Sequence, residues 1–322
     1  MLRRPLGVAP ARALSSIGPL LALLAACAFF AARSDRFLTG GNLSLVLQQV
    51  MVVGVLAIGQ TLVILTAGVD LACGAIMALG GIVMTTLAAR LGVPVPLAIA
   101  AGMGVTTLFG VAHGLLITSL RLPPFIVTLG TLNIAFALTQ LHSRGQTVTG
   151  IPAALGALGD TFQLGGTRIV YGAVLMLVLY GVAWFGLRET AAGRHVHAVG
   201  GAPEAARLAG IHTRALLIGV YALAGLLYGV AALLSVARTG VGDPNAGQTD
   251  NLDAITAVVL GGTSLFGGRG SVLGSLVGAL IVGVFRNGLT LMGVSSVYQI
   301  LVTGVLVILA VATDQLTREG RR

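Results

Sequence analysis

The sequence predicts an all-α, polytopic integral membrane protein with about ten transmembrane helices, one of them short and interrupted. Three observations lead there. Of the 322 residues, 56% are hydrophobic and only 9% are charged, against roughly 45–50% and about 25% in soluble domains. Mean hydropathy is +0.98. The apolar residues also come in runs near the length, about 20 residues, that a helix needs to cross a bilayer. So few charges cannot cover a water-facing surface, which excludes a soluble enzyme, a disordered chain and a nucleic-acid-binding domain.

Taken in order, six apolar runs precede the midpoint: Ile17–Ala32, Leu43–Thr66, Leu71–Leu91, Pro94–Leu120, Pro123–Leu141 and Ile169–Leu187. Three follow it, Ala215–Ala237, Val272–Leu291 and Val294–Ala312, together with a shorter run, Leu252–Phe266, broken by Gly261-Gly262. The chain is thus one transmembrane domain: six crossings over 17–187, a polar loop over 188–214, and four crossings over 215–312. A cleaved signal peptide is the competing reading of the N-terminus, where Arg3 and Arg4 precede an apolar run ending Phe30-Ala31-Ala32. The spacings Gly110/Gly114, Gly225/Gly229 and Gly274/Gly278 read as small-xxx-small helix contacts. Cys27 and Cys73 lie far apart in apolar surroundings and read as packing residues.

The net charge of +9 comes from 19 basic residues, all Arg, scattered singly between apolar runs rather than gathered into a nucleic-acid patch. In a membrane protein such charges orient loops. Arg3, Arg4 and Arg12 mark one terminus, Arg318, Arg321 and Arg322 the other, and Arg188, Arg194, Arg207 and Arg214 the central loop. Even parity between these regions requires the short run to traverse, giving ten crossings with both termini inside. Twelve Arg then lie inside and seven outside; Arg33 and Arg36 run against the bias.

Three stretches carry polar chemistry. In Thr66–Gly81, Asp70 lies between apolar helices, flanked by Gly68 and Gly74. An intramembrane acid is a functional candidate, and Asp70 equally reads as an N-cap for a helix beginning at Leu71. In Asp243–Gly270, Asp250 and Asp253 precede the interrupted run; short or broken helices line transporter cavities. These features nominate Asp70, Asp250, Asp253, Gly261 and Gly262 for a substrate pathway. In Arg188–Arg214, Pro203 suits a first helical position, Glu204 the positive end of the helix dipole, and Gly210 the stop. The resulting two-turn helix packs on its own domain or forms a docking knob for a cytoplasmic partner. His195 and His197 lack a third ligand for a metal site. No metal and no cofactor is expected.

The run LDAITAVVLGGTSLFGGRGSVLGSLVGALIVG and the following RNGLTLMGVSSVYQILVTGVLVILAV resemble the ribose-type sugar permeases of bacterial ABC importers. So do GVDLACGAIMALGG, PPFIVTLGTL, GRHVHAVGGAPEAARLAGI and PNAG at Pro244–Gly247, in the family's order from Asn42 to Asp314. The resemblance implies a multi-pass protein of the bacterial inner membrane, in contact with lipid, that pairs with a second permease copy as a homo- or heterodimer. It implies a cytoplasmic ABC ATPase and a periplasmic or lipid-anchored sugar-binding protein as partners, with no nucleic acid. The ATPase-docking loop maps onto Gly193–Ile211, with Gly201, Pro203, Glu204, Arg207, Leu208 and Gly210 as its docking residues. The sequence departs from the family at Ala72-Cys73, usually Ser-Val, and at Asp250-Asn251, usually Tyr-Glu, so a role for that Glu is not carried over.

Two functions compete. The first is the permease subunit of an ATP-driven importer, passing a ribose-like monosaccharide or related polyol. A P-loop needs a Lys and the chain has none, so the chain is a transport subunit and not an enzyme, and ATP must be hydrolysed by a separate protein. The second is an ion-coupled secondary transporter of a small polar solute, for which Asp70, Asp250 and Asp253 are the candidate carriers. An intramembrane enzyme finds no His/Glu metal pair and no Ser–Lys or Ser–His dyad in the sequence of the helices.

Overall fold

The computed structural model of the chain describes residues 9–305 and 308. Its elements are almost all helices: α1 Ala9–Arg33, α2 Gly40–Leu65, α3 Cys73–Thr85 with a π-helical turn over Thr86–Arg90, α4 Val95–Ser119 and α5 Pro124–Ser143. After the one-turn α6 Ala153–Gly156 come two strands, β1 Thr161–Leu164 and β2 Thr167–Val170, then α7 Tyr171–Glu189, α8 Ala191–Gly201 and α9 Pro203–Leu208. The chain continues through α10 Thr213–Thr239, α11 Asp250–Leu260, α12 Val272–Leu291 and α13 Ser296–Val305. Among the described residues, seven helices are long and apolar enough to cross a membrane. The remaining expected crossings correspond to α1, to α11 and to α13; the end of the Val294–Ala312 run lies outside the described residues.

Local chemistry fixes the ends. Thr39 caps α2 through the Asn42 amide, Pro94 and Pro123 precede α4 and α5, and Gly240, at a φ of 71°, closes α10 in the left-handed conformation. Ile169 proves to be part of a β-hairpin rather than the start of a crossing. Gly165 and Gly166, with φ of 56° and 79°, turn β1 back onto β2, and α7 begins at Tyr171. Two consecutive positive φ values are what a tight hairpin needs, and glycine supplies them without strain.

Polarity is inverted relative to a soluble protein. The buried stripe of α5 is Val127, Thr128, Thr131, Ala135, Thr139 and Ser143, whereas Phe125, Ile126, Leu129, Ile134, Phe136, Leu138 and Leu141 point outwards. On this outer helix small and polar side chains face protein and large apolar ones face out, while the central helices bury large apolar side chains as well. A lipid-facing helix behaves this way, because hydrocarbon cannot satisfy a hydroxyl and a neighbouring helix can. At the centre lie α2, with 19 of its 26 residues buried, and α10, which packs on α4, α2 and α3.

The glycine spacings behave as helix contacts. A Cβ at Gly110 would strike the Tyr221 carbonyl and one at Gly225 the Thr106 carbonyl, so α4 and α10 approach backbone to backbone. Likewise Gly278 meets the Ala257 carbonyl and Gly274 meets Gly261, joining α12 to α11. At the other flank α1 seats Phe30 against Phe285 (5.6 Å, edge-to-face) and over Gly288 of α12, so α1 is a packed part of the fold. Both cysteines are free thiols.

Candidate functional site

Two non-helical connections between successive helices meet. The chain leaves α2 at Leu65 and stays non-helical until Cys73; it leaves α10 at Thr239 and does not resume a helix until Asp250. Gly74 lies so close to the Gly247 carbonyl and the Asn251 amide that no side chain would fit there. Irregular backbone survives at membrane depth only where protein satisfies its polar groups, and here it does. The Thr66, Ala67 and Gly68 amides donate to Ile64 or Val63 carbonyls. Thr128 Oγ1 of α5 donates to the Val69 carbonyl at 3.1 Å. Gln60 Nε2 of α2 donates to the Asp70 carbonyl, and Asn251 Nδ2 of α11 donates to the Leu71 carbonyl at 3.0 Å. A carboxylate at position 251 could not donate this bond.

Asp70 sits inside this junction, 1% exposed. Its Oδ1 accepts from the Ala72 amide at 2.8 Å, but α3 starts at Cys73 and carries no side-chain cap. The capping expected at Leu71 is therefore a bond to the turn ahead of the helix. Its Oδ2 lies 3.4 Å from His113 Nδ1 of α4, also buried. His113 Nε2 is 2.6 Å from Thr131 Oγ1 of α5. Tyr221 of α10 stands edge-on to the imidazole, with ring centroids 6.0 Å apart, and its hydroxyl packs against Gly68. Sequence reading missed His113 and Thr131. The available signal was a histidine inside the apolar run Val111-Ala112-His113-Gly114, which is expensive without a partner. Thr131, His113 and Asp70 line up like a hydrolytic triad, yet the threonine hydroxyl is buried and also bonded to the Val127 and Thr128 carbonyls. That hydroxyl is therefore not a free nucleophile.

Asp253, 1% exposed, pairs with Arg286 Nη2 at 2.5 Å. Arg286, counted from sequence among the outer charges, is thus an intrahelical residue of α12 facing the acid. Asp250 begins α11 and is only partly exposed. Gly261 packs on Gly274 at the α11–α12 contact, and Gly262, with φ of 85°, turns the chain out of α11.

The central polar stretch folds into two helices where one was expected. Thr190 caps α8 by accepting from the Gly193 amide at 3.2 Å, and Gly193 fits only because it crosses the Leu187 and Gly186 carbonyls of α7. Then α9 runs from Pro203 to Leu208, and Gly210, at φ of 86°, ends it. Leu208 is 80% exposed, and Glu204 pairs with Arg207 at 3.1 Å on the surface. Gly201 and Gly200 cross Gly268, whose amide donates to the Leu65 carbonyl at 2.9 Å. The end of α8 thus rests directly on the end of α2, where the non-helical stretch begins. Beside α9, His195, Gly210, Ile211, His212 and Leu216 border an open groove of about 330 Å³. His197 Nδ1 lies 3.4 Å from the Gly268 carbonyl.

A family profile described as the branched-chain amino acid transport system / permease component matches residues 42–311. The fructose import permease protein of Rhizobium meliloti is 45% identical over 94% of this chain and 85% of its own length. The ribose import permease proteins of Bacillus subtilis and Escherichia coli are each 40% identical, over 94% and 92% of this chain and 93% and 92% of their own lengths. No solved structure matches significantly. With a profile match over most of its length and helices suited to repeated crossing, the chain is a multi-pass membrane protein belonging to this permease-component family.

Proposed function

We propose that the chain is the membrane subunit of an ATP-binding-cassette importer, passing a ribose-like monosaccharide or related polyol delivered by a binding protein. The observation that carries this is the near-full-length similarity to import permeases named for fructose and ribose. The working assembly pairs two permease copies with a cytoplasmic ATPase and a periplasmic or lipid-anchored binding protein. Ten crossings, α1, α11 and α13 included, place both termini and the 188–214 loop in the cytoplasm. There α9 offers Leu208 as an apolar anchor, with Glu204 and Arg207 beside it, to the ATPase; Gly201, Pro203 and Gly210 shape the element. Because α8 rests on the end of α2, a push at α9 reaches the 66–72 stretch that holds Asp70. Asp250 and Asp253 lie in the first turn of α11, after the 240–249 stretch, and Gly261 and Gly262 end that helix; we assign both non-helical stretches and α11 to the substrate path.

The alternative, an ion-coupled carrier, needs an acid free to take up its ion. Asp70 faces His113 and Asp253 is bound to Arg286, which speaks against it. Proteoliposomes containing the permease, its ATPase and the binding protein should accumulate labelled ribose or fructose only with ATP. The permease alone, under a proton or sodium gradient, should accumulate none; accumulation there would overturn the proposal. A periplasmic reporter fused after Arg318 should stay silent if both termini are cytoplasmic.

A further inference from the structure

We infer that His113 is a positioning residue, clasping the non-helical stretch 66–72 to α4 and α5 through Asp70 on one ring nitrogen and Thr131 on the other. Proton counting supports the arrangement. The Thr131 hydroxyl has one proton to share among the Val127 carbonyl (3.0 Å), the Thr128 carbonyl (3.1 Å) and His113 Nε2 (2.6 Å). If it goes to Nε2, the neutral ring carries its proton on Nδ1. If it goes to the backbone, Nε2 donates to the threonine oxygen. On the opposite side of the ring Nδ1 faces Asp70 Oδ2 at 3.4 Å, an ion-pair contact rather than a hydrogen bond, and among the described residues neither atom has a hydrogen-bond partner. Among the described residues His113 is the ion-pair partner of Asp70, and both are shut away from solvent, where an unpaired carboxylate is costly.

The need for a clasp lies in the stretch itself. Ala67 has a φ of 61°, a left-handed conformation that a side chain disfavours, and no helical ladder spans Thr66 to Ala72. One end is fixed by α8 and Gly268 on Leu65. The other is fixed by Asp70, whose neighbours Gln60, Cys73, Tyr221 and Tyr228 come from α2, α3 and α10. Removing His113 would leave Asp70 with the Ala72 amide on Oδ1 but with no ion-pair partner at its buried Oδ2, so the stretch would pull away to hydrate it.

Cys73 reports that movement. It is 0% exposed, and its Sγ receives a bond from Gln60 at 3.5 Å. In a Cys27→Ser background, the full-length protein in membranes is treated with N-ethylmaleimide, a reading independent of the transported solute. Unaltered, Cys73 should resist alkylation. His113→Leu should speed its labelling at least tenfold. His113→Asn, which keeps an amide near the position of Nδ1, should stay close to the parent. Asp70→Asn with His113→Leu removes the stranded charge and should restore protection. Tyr180→Phe, which breaks an equally buried bond between α7 and α2, should leave Cys73 protected. Parental labelling in His113→Leu, or equally fast labelling in the single and double variants, would overturn the clasp. Should His113→Leu fail to accumulate, recovery of protein by adding Asp70→Asn supports it, and failure of that recovery counts against it.

Discussion

The α8–α9 end and the junction around Asp70 are both polar interruptions of an apolar protein, yet they are built on opposite principles. At α9 the charges pair on the surface, Glu204 with Arg207, and the apolar side chain, Leu208, is bare. At the junction the charges are buried and paired across helices, Asp70 with His113 and Asp253 with Arg286, and glycines bring backbones into contact. An exposed ion pair contributes little and can be exchanged freely; a buried one resists the loss of either member. The first design suits a surface that meets another protein. The second suits a shape that must persist in lipid.

Substitutions should separate the two regions. The largest effect is expected at Gly278. Leucine there would drive its Cβ into the Ala257 carbonyl, so α11 cannot seat on α12, and folded protein should be lost from detergent extracts on size exclusion. Next is Asp253→Ala, which removes the buried carboxylate bonded to the partly exposed Arg286. Breaking a buried pair costs about 3 kcal/mol, visible as a lower thermal midpoint in detergent; Asp253→Leu with Arg286→Met should recover much of it. Thr190→Ala removes the α8 cap and should cost about 1 kcal/mol, read from the same melt. The smallest effect belongs to Glu204→Gln with Arg207→Gln, which should change stability by less than about 1 kcal/mol. If this last pair proved as destabilising as Asp253→Ala, the contrast between the regions would be wrong.

How legible these regions were follows from their physics. The crossings were readable because lipid demands long apolar runs, and the Gly110/Gly114 and Gly225/Gly229 spacings even named a contact that α4 and α10 make. The α9 helix was readable because Pro203 and Gly210 punctuate it locally. Asp70 stood out as an intramembrane acid, but its partner is a histidine on another helix, and pairing across helices leaves no trace in sequence spacing. Arg286 was hidden in the same way, by its resemblance to an ordinary loop charge at a helix end. The hairpin went unseen because strands of four residues are too short to compete with the apolar run that follows them, although Gly165-Gly166 marked its turn.

The proposed route, in which α9 receives the drive and the buried junction responds, is best probed by the Leu208→Ala, Glu204→Arg double variant. Losing an exposed apolar anchor leaves the fold untouched, whereas at an interface it costs about 1–2 kcal/mol or more, roughly tenfold in affinity. Purified with the ATPase and binding protein, the variant should insert and melt like the parent. It should retain about a tenth or less of the bound ATPase, and hydrolysis should no longer be coupled to sugar uptake. Parental ATPase binding together with parental uptake per ATP would exclude α9 as the docking element.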